Sequence, residues 1–280
     1  MPYLSISMIT EIRYALLIIF CLGGIVVSNG QTIFQPKPIE YNLKGVLYDF
    51  ESVFEGRIHA QGFSIGYKKG QLKSYYKTTY QNFEFGYIKD PRERRTNRNL
   101  SVSGFRTSSP FVYGKRNDFF QFRYSYGVKT YLSEKTRRKG VSVGFIYEGG
   151  ATLGLLKPYT LQVIRIDEDN PTARTVETIR YSDDLRDDFL DFQNIYGGDT
   201  FFGGFSAIRP TVGLHGKIGM HWGIGAFESK VKAAETGIMF DIFPGKVPLL
   251  VEQDGIENSF YYFKIYLSFQ FGKRTRIGEE

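Results

Sequence analysis

The last stretch of the chain constrains the rest more than any other. Residues 259–272 read SFYYFKIYLSFQFG, in which Tyr261, Phe263, Ile265, Leu267, Phe269 and Phe271 alternate with Tyr262, Lys264, Tyr266, Ser268 and Gln270. Apolar side chains at every second position are the mark of a β-strand with two unlike faces. A tilted strand of about 9–11 residues crosses a bilayer, and this run is long enough to do so before it ends in Phe271, Gly272 and a basic tail. One face of such a strand meets an apolar medium and the other a packed polar interior.

The same period recurs along the chain. It predicts strands over residues 43–53, 57–67, 75–88, 119–132, 141–154, 211–227, 231–243 and 259–272. Short turns over 68–73, 133–140 and 228–230 fall at one end of these strands. Long connections over 89–117, 155–210 and 244–258 fall at the other. An even strand count with this asymmetry predicts an all-β fold: an eight-stranded antiparallel up-and-down transmembrane β-barrel with long extracellular loops.

Alternation alone does not say which face points inward, because a soluble lipocalin-like barrel has the same period with its faces exchanged. The polar faces are rich in Gly and Ser, small enough to fill a narrow lumen. With 25 Phe and 20 Tyr, the chain also has aromatics to spare for the strand ends. Tyr67, Tyr76, Tyr131, Phe227 and Phe271 are expected at one rim, and Tyr87, Phe119 and Tyr261 at the other. Both features favour an apolar face turned outward to lipid.

Residues 1–30 read as a secretory signal peptide, with Arg13 ahead of the apolar run 14–27 and a cut expected before Gln31. The alternative is a single anchoring helix, for which the run is short. Residues 31–42, with Pro36 and Pro38, read as an extended lead-in, and 43–280 as the outer-membrane barrel domain. The one cysteine, Cys21, lies in the signal, so the expected mature chain has no disulfide framework. The net charge of +7 suits anionic partners such as lipid phosphates.

The closing segment YLSFQFGKR (Tyr266 to Arg274) and the strand–turn–strand over 211–243 carry a likeness. On these the chain resembles the small outer-membrane β-barrel proteins of Bacteroidetes-type bacteria. The resemblance implies a location in the outer membrane and a barrel fold, and no particular activity.

The expected lumen face collects Glu84, Arg123, Lys129, Glu148, His215, Lys217, His221, Glu235, Asp241 and Lys264. A barrel of this size has room inside for side chains rather than for an aqueous channel. Charges buried there must be paired, which predicts an interlocked ionic network; a proton or small-solute path is the functional alternative. His215 and His221 stand about 20 Å apart along one strand and cannot share a metal ion from it. No cofactor or metal site is predicted. A Ser/His/acid arrangement can assemble in space, but no nucleophile with its base stands out, so the chain is expected to be non-enzymatic.

The long connection over 155–210 predicts a hairpin (159–166 with 175–181) and a short helix over 182–193 capped by Ser182. The acidic cluster Asp183, Asp184, Asp187, Asp188 and Asp191 reads as a solvated helix face, with Ca²⁺ binding the alternative. Phe189, Phe192, Tyr196, Phe201 and Phe202 are expected to form a lid core over the barrel mouth or a partner contact. The basic run Lys89, Arg92, Arg94, Arg95 and Arg98 lies at the loop end and fits lipid phosphate, with a plain solvated loop the alternative.

The expected partners are therefore outer-membrane lipid, lipopolysaccharide and envelope proteins, with nucleic acid excluded for an exported chain. Three roles stay open: a structural or surface-interaction barrel, a barrel subunit of an envelope secretion or transport machine, and an outer-membrane lipid-modifying enzyme.

Overall fold

The computed structural model describes residues 48–74, 76–100, 107–132, 141–166, 174–224, 229–253 and 255–276. The expected signal peptide, the lead-in and the turn over 133–140 lie outside these residues. The strands are β1 (Phe50–His59), β2 (Gly62–Ser74), β3 (Lys77–Ile88), β4 (Arg95–Thr96), β5 (Phe111–Val112), β6 (Asn117–Tyr131) and β7 (Val141–Pro158). They continue as β8 (Thr160–Ile166), β9 (Arg174–Arg180), β10 (Ile195–Gly198), β11 (Arg209–Ile224), β12 (Lys230–Ile242) and β13 (Tyr261–Thr275). A single-turn helix, α1 (Arg186–Leu190), precedes β10.

Eight of the strands close a barrel in the order β1-β2-β3-β6-β7-β11-β12-β13, and β13 returns to pair with β1 from Phe50↔Thr275 to His59↔Tyr266. Every neighbour is antiparallel, so the sheet is an up-and-down meander with no free edge. The connections over 89–116, 159–208 and 243–260 all leave from one end, the loop end. At the turn end β2 leads to β3, β6 to β7 and β11 to β12.

The strand count matches the sequence reading, but the start of the barrel does not. The expected break near residue 55 is continuous strand, because Glu51, Val53, Glu55 and Arg57 point inward while Phe54 and Ile58 point outward. The expected turn over 68–73 is the second half of β2. Its polar look comes from Lys68, which is buried between Glu55 and Glu235. β2 ends at Ser74 and β3 begins at Lys77. At the far side of the barrel β7 runs on to Pro158 rather than stopping at Gly154, because Leu156 and Lys157 both find partners.

The outer wall is apolar and its rings pair across strands. Phe54 meets Tyr67 at 5.0 Å, Phe83 meets Tyr124 at 5.0 Å and Phe85 meets Phe122 at 4.9 Å between ring centroids. Phe119 and Tyr131 do not join the rims expected of them; both point inward. Tyr67 lies within the wall because β2 continues past it. Two glycines admit inward rings. A Cβ at Gly127 would stand 2.5 Å from the Tyr80 ring, and one at Gly154 would stand 2.5 Å from the Phe119 ring.

The loop end is closed by two apolar clusters. Ile88, Phe119, Leu156, Phe243, Val247, Leu249 and Tyr262 form a plug in the barrel mouth. Above it, Phe111, Leu161, Val163, Ile179, Phe189, Ile195 and Val251 form the core of a cap contributed by all three long connections. The predicted hairpin is present as β8 and β9, and β10 extends it to three strands. The predicted helix shrinks to one turn. Its N-cap is Leu185, which offers no side-chain cap, and the chain turns away at Asp191, whose Oδ1 accepts from Gln193 N.

Candidate functional site

The lumen holds the carboxylates Glu51, Glu55, Glu84, Glu148, Glu235 and Asp241 and the cations Arg57, Lys68, Arg123, Lys129, Lys217, Lys264 and Arg274, all buried. Each is paired. Asp241 bridges to Arg123 at 2.8 Å, to Lys264 at 2.6 Å and to His215 Nδ1 at 3.0 Å. Arg123 reaches on to Glu84 at 2.5 Å, and Glu84 to Arg57 at 2.5 Å. Glu55 joins Arg57 to Lys68, each at 2.8 Å, and Lys68 crosses to Glu235 at 3.0 Å. Nearer the turn end, Glu51 binds Lys129 at 2.6 Å and Arg274 at 2.8 Å. Glu148 takes Lys217 at 2.5 Å, the Tyr80 hydroxyl at 3.1 Å and Asn82 Nδ2 at 2.8 Å, and it also accepts from Ser125.

All ten lumen residues expected from the sequence are in this network. Many links cross the barrel rather than joining neighbours: β6 to β12, β6 to β1, and β2 to β12. Cross-links of this kind fill the bore and fix opposite walls at a set separation. The sequence reading missed Glu51, Glu55, Arg57, Lys68 and Arg274. Strict alternation places all five inward: Glu51, Glu55 and Arg57 by their offset from Phe54, Lys68 by its offset from Tyr67, and Arg274 by its offset from Gln270.

Chemistry in the lumen is limited by the same pairing. His215 and His221 each face a carboxylate, Asp241 at 3.0 Å and Glu235 at 3.3 Å. His215 Nε2 meets no hydrogen-bonding hydroxyl among the described residues, so the pair lacks the nucleophile that a triad needs. No metal-ligating group of three or more acids, His or Cys occurs among the described residues.

A second polar cluster stands on the outer face at the loop end. Asp118 and Lys157 are register partners on β6 and β7 and bridge at 2.9 Å. Asp118 shares its face with Phe120, two residues on, and so belongs to the outer wall. Lys115 binds Asp118 at 2.9 Å and Glu93 at 2.7 Å and donates to the Tyr87 hydroxyl at 3.0 Å. Burial alone would lower the Lys115 pKa, but the Asp118 and Glu93 carboxylates outweigh it and hold the ammonium above the ordinary lysine range. The loops roof this cluster and leave a cavity of about 390 Å³ bordered by Lys89, Arg95, Lys115, Lys157, Tyr159, Asp199 and Phe201.

The predicted basic run is divided by the fold. Lys89 and Arg95 border the cavity, and Arg92 pairs with Asp90 and donates to the Glu257 carbonyl. Arg94 is exposed. Arg98 donates to the carbonyls of Phe192, Gln193 and Ile195 and so secures the cap.

The predicted loop aromatics divide as well. Phe189 and Tyr196 are buried, and Phe189 belongs to the cap core. Phe192 packs at the cap edge on Phe111 and Tyr113. Phe201 and Phe202 are exposed, and with Phe205 they form a ring cluster that reaches Phe120 of the outer wall at 6.3 Å.

None of these rings seals the mouth. The seal comes from Phe243, the expected end of a strand, and from Val247 and Leu249, in a connection predicted as a plain loop. Asn258 holds that segment by donating to the Leu250 carbonyl at 2.9 Å and accepting from Leu249 N and Leu250 N. The run VPLLV over 247–251 is the signal that could have found it, since five apolar residues are unusual in an exposed loop.

No protein-family model matches the chain, and no curated protein or solved structure is detectably similar to it.

Proposed function

We propose that the protein is an integral outer-membrane barrel with a closed lumen, non-enzymatic, whose cap is its working surface toward lipid, glycan or protein. The observation that carries this reading is the inverted polarity of the barrel. Thirteen paired charges lie inside it, while Phe54, Ile65, Phe122, Leu214, Ile265 and Phe271 stand exposed outside. An apolar belt around a whole barrel far exceeds the few hundred Å² that a water-soluble monomer exposes. The lumen network and the apolar plug leave the bore to side chains, which argues for a scaffold rather than a pore. The experiment is expression without residues 1–30 followed by refolding into detergent and liposomes. Heat-modifiable gel migration and β-type circular dichroism only in the presence of amphiphile are expected; a chain that stays folded and soluble without detergent would sink the proposal.

A second reading, a barrel subunit of a larger envelope assembly, has one observation in its favour. A groove of about 1160 Å³ runs along the outer wall where Gly56 interrupts the row of large side chains. A Cβ built at Gly56 would meet nothing within 4 Å. A transmembrane segment of another protein would fit such a groove. Recovery of a stoichiometric partner after mild detergent extraction, lost in Gly56→Trp, is the outcome this reading expects.

A further inference from the structure

The outer-wall cavity at the loop end sits where an embedded barrel meets the lipid headgroups. Directly below it the wall is aromatic: Phe120 touches Tyr87 at 5.3 Å and Phe85 at 6.0 Å. Beside it stands the exposed ring cluster of Phe201, Phe202 and Phe205, in ring contact with Phe120. Exposed aromatics that continue an apolar wall upward belong to the interfacial zone, where amphipathic rings settle. Under this cluster Lys157 is held by the Phe201 and Gly203 carbonyls at 3.1 and 3.2 Å, so the rings and the cavity floor are one built unit.

The charges of the cavity are unequal in their freedom. Lys115 and Lys157 are committed to Glu93 and Asp118. Lys89 and Arg95 border the same cavity, and neither has a carboxylate within 4 Å among the described residues. The third carboxylate of the lining, Asp199, accepts from Thr160 Oγ1 at 3.1 Å, so four cations face three carboxylates and the cavity keeps one positive charge unbalanced. Its opening is at the height of a headgroup and its lower lip is a surface for acyl chains.

We infer that this cavity binds the phosphate-bearing headgroup of a membrane lipid, with Lys89 and Arg95 on the phosphate and the acyl chains lying along Phe120 and Phe201. The inference rests on the membrane reading above and adds to it a defined lipid site. Arg suits phosphate through its two parallel donors, and Lys contributes a point charge. Arg92 and Arg98 are engaged elsewhere and the exposed Arg94 does not border the cavity, so a cluster of five cations in sequence becomes a pair in space.

The test uses the full mature chain in detergent micelles and in liposomes. Native mass spectrometry titrates dioleoyl phosphatidylglycerol against dioleoyl phosphatidylcholine and against sodium phosphate. The wild type is expected to hold one phosphatidylglycerol about tenfold more tightly than phosphatidylcholine, the order expected for charge-assisted contacts. Lys89→Ala with Arg95→Ala is expected to erase that preference, and Arg174→Ala with Lys246→Ala to keep it. In a Trp222→Phe background, Phe201→Trp fluorescence is expected to be quenched by bilayers with brominated chains. Equal retention of the two lipids, an unaffected double variant, or an unquenched Trp at 201 would overturn the site. Displacement of the lipid by millimolar sodium phosphate would assign the cavity to a soluble anion and overturn the lipid assignment. Failure of the wild type to enter liposomes at all would overturn the membrane reading and this site together; insertion without selectivity would overturn this site alone.

Discussion

Lys217 and Phe189 are both fully buried, and their surroundings have nothing else in common. Lys217 lies in the barrel against Glu148 and beneath the Tyr266 ring, within a network of ions and hydrogen bonds. Phe189 lies in the cap against Leu161, Val163 and Ile179, with Tyr181 edge-on at 5.6 Å. The cap is packed as a water-soluble domain is, with apolar groups inside. The barrel reverses that order. The membrane reading proposed above accounts for this: in lipid the apolar surface gains nothing by being hidden, so the outer wall takes it and the lumen is left to the polar residues. Their burial is tolerable only because every charge has an opposite partner. Two neighbouring regions of one chain thus have interiors of opposite polarity, and the boundary between them falls at the plug of Phe119, Phe243 and Leu249.

The sharpest way to break this contrast is to remove one ion from the lumen. Asp241 accepts from Arg123, Lys264 and Thr152 and pairs with His215. In Asp241→Ala two buried cations lose their main counter-charge, and a cost of about 3–5 kcal/mol is expected. Urea unfolding in lipid, followed by Trp222 fluorescence, measures it. Adding Lys264→Met to the same chain removes one of the orphaned cations, and partial recovery is expected because the two sites are in contact. If Asp241→Ala unfolds like the wild type, the lumen is held by water rather than by its ion pairs.

A smaller effect is expected from the outer wall. Ile218 is exposed at the middle of β11 and pairs with Tyr147 and Ile238. Ile218→Arg places a charge on the lipid face and should cost about 2–4 kcal/mol near the bilayer midplane. The same substitution at an exposed residue of the cap, Ile166→Arg, should change stability by less than about 0.5 kcal/mol. Equal tolerance at the two positions would remove the distinction between a wall that meets lipid and a cap that meets water.

The sequence made the barrel legible and the cap only partly so, for a physical reason. Strand alternation is local: Ile265 and Lys264 are on opposite faces whatever the partner strand is, and the ten lumen residues follow from that alone. Where a lumen charge sits inside a turn-like run, as Lys68 does beside Lys69 and Gly70, composition imitates a turn and the strand is cut short. The cap depends instead on contacts between distant segments. Phe111, Ile195 and Val251 come from three separate connections, and no period relates them. Lys89 and Arg95 were visible as cations, but that they alone of their run face a cavity is a property of the folded loops.

The least effect on the barrel should come from the largest deletion. Leu156 and Arg209 are register partners on β7 and β11, so the two ends of the 159–208 connection already lie side by side. Paired residues in an antiparallel ladder are about 5 Å apart, a gap that a short Gly/Ser turn closes. The plug does not need the deleted segment, because Phe243, Val247 and Leu249 come from another loop and Ile88, Phe119, Leu156 and Tyr262 from the wall. The ion network contains no residue between 159 and 208. The barrel of the shortened chain should therefore keep heat-modifiable migration and a stability within about 1 kcal/mol of the wild type, the tolerance expected for exchanging one long loop for a short one. The cap should collapse, because Phe111 and Val251 lose the strands they pack against, and the surface role proposed above should go with it. If the shortened chain fails to form a barrel, the cap is a folding partner of the strands and the two regions are one cooperative unit. If it folds and still engages every lipid and protein partner of the wild type, the working surface lies on the wall at Gly56 rather than in the cap.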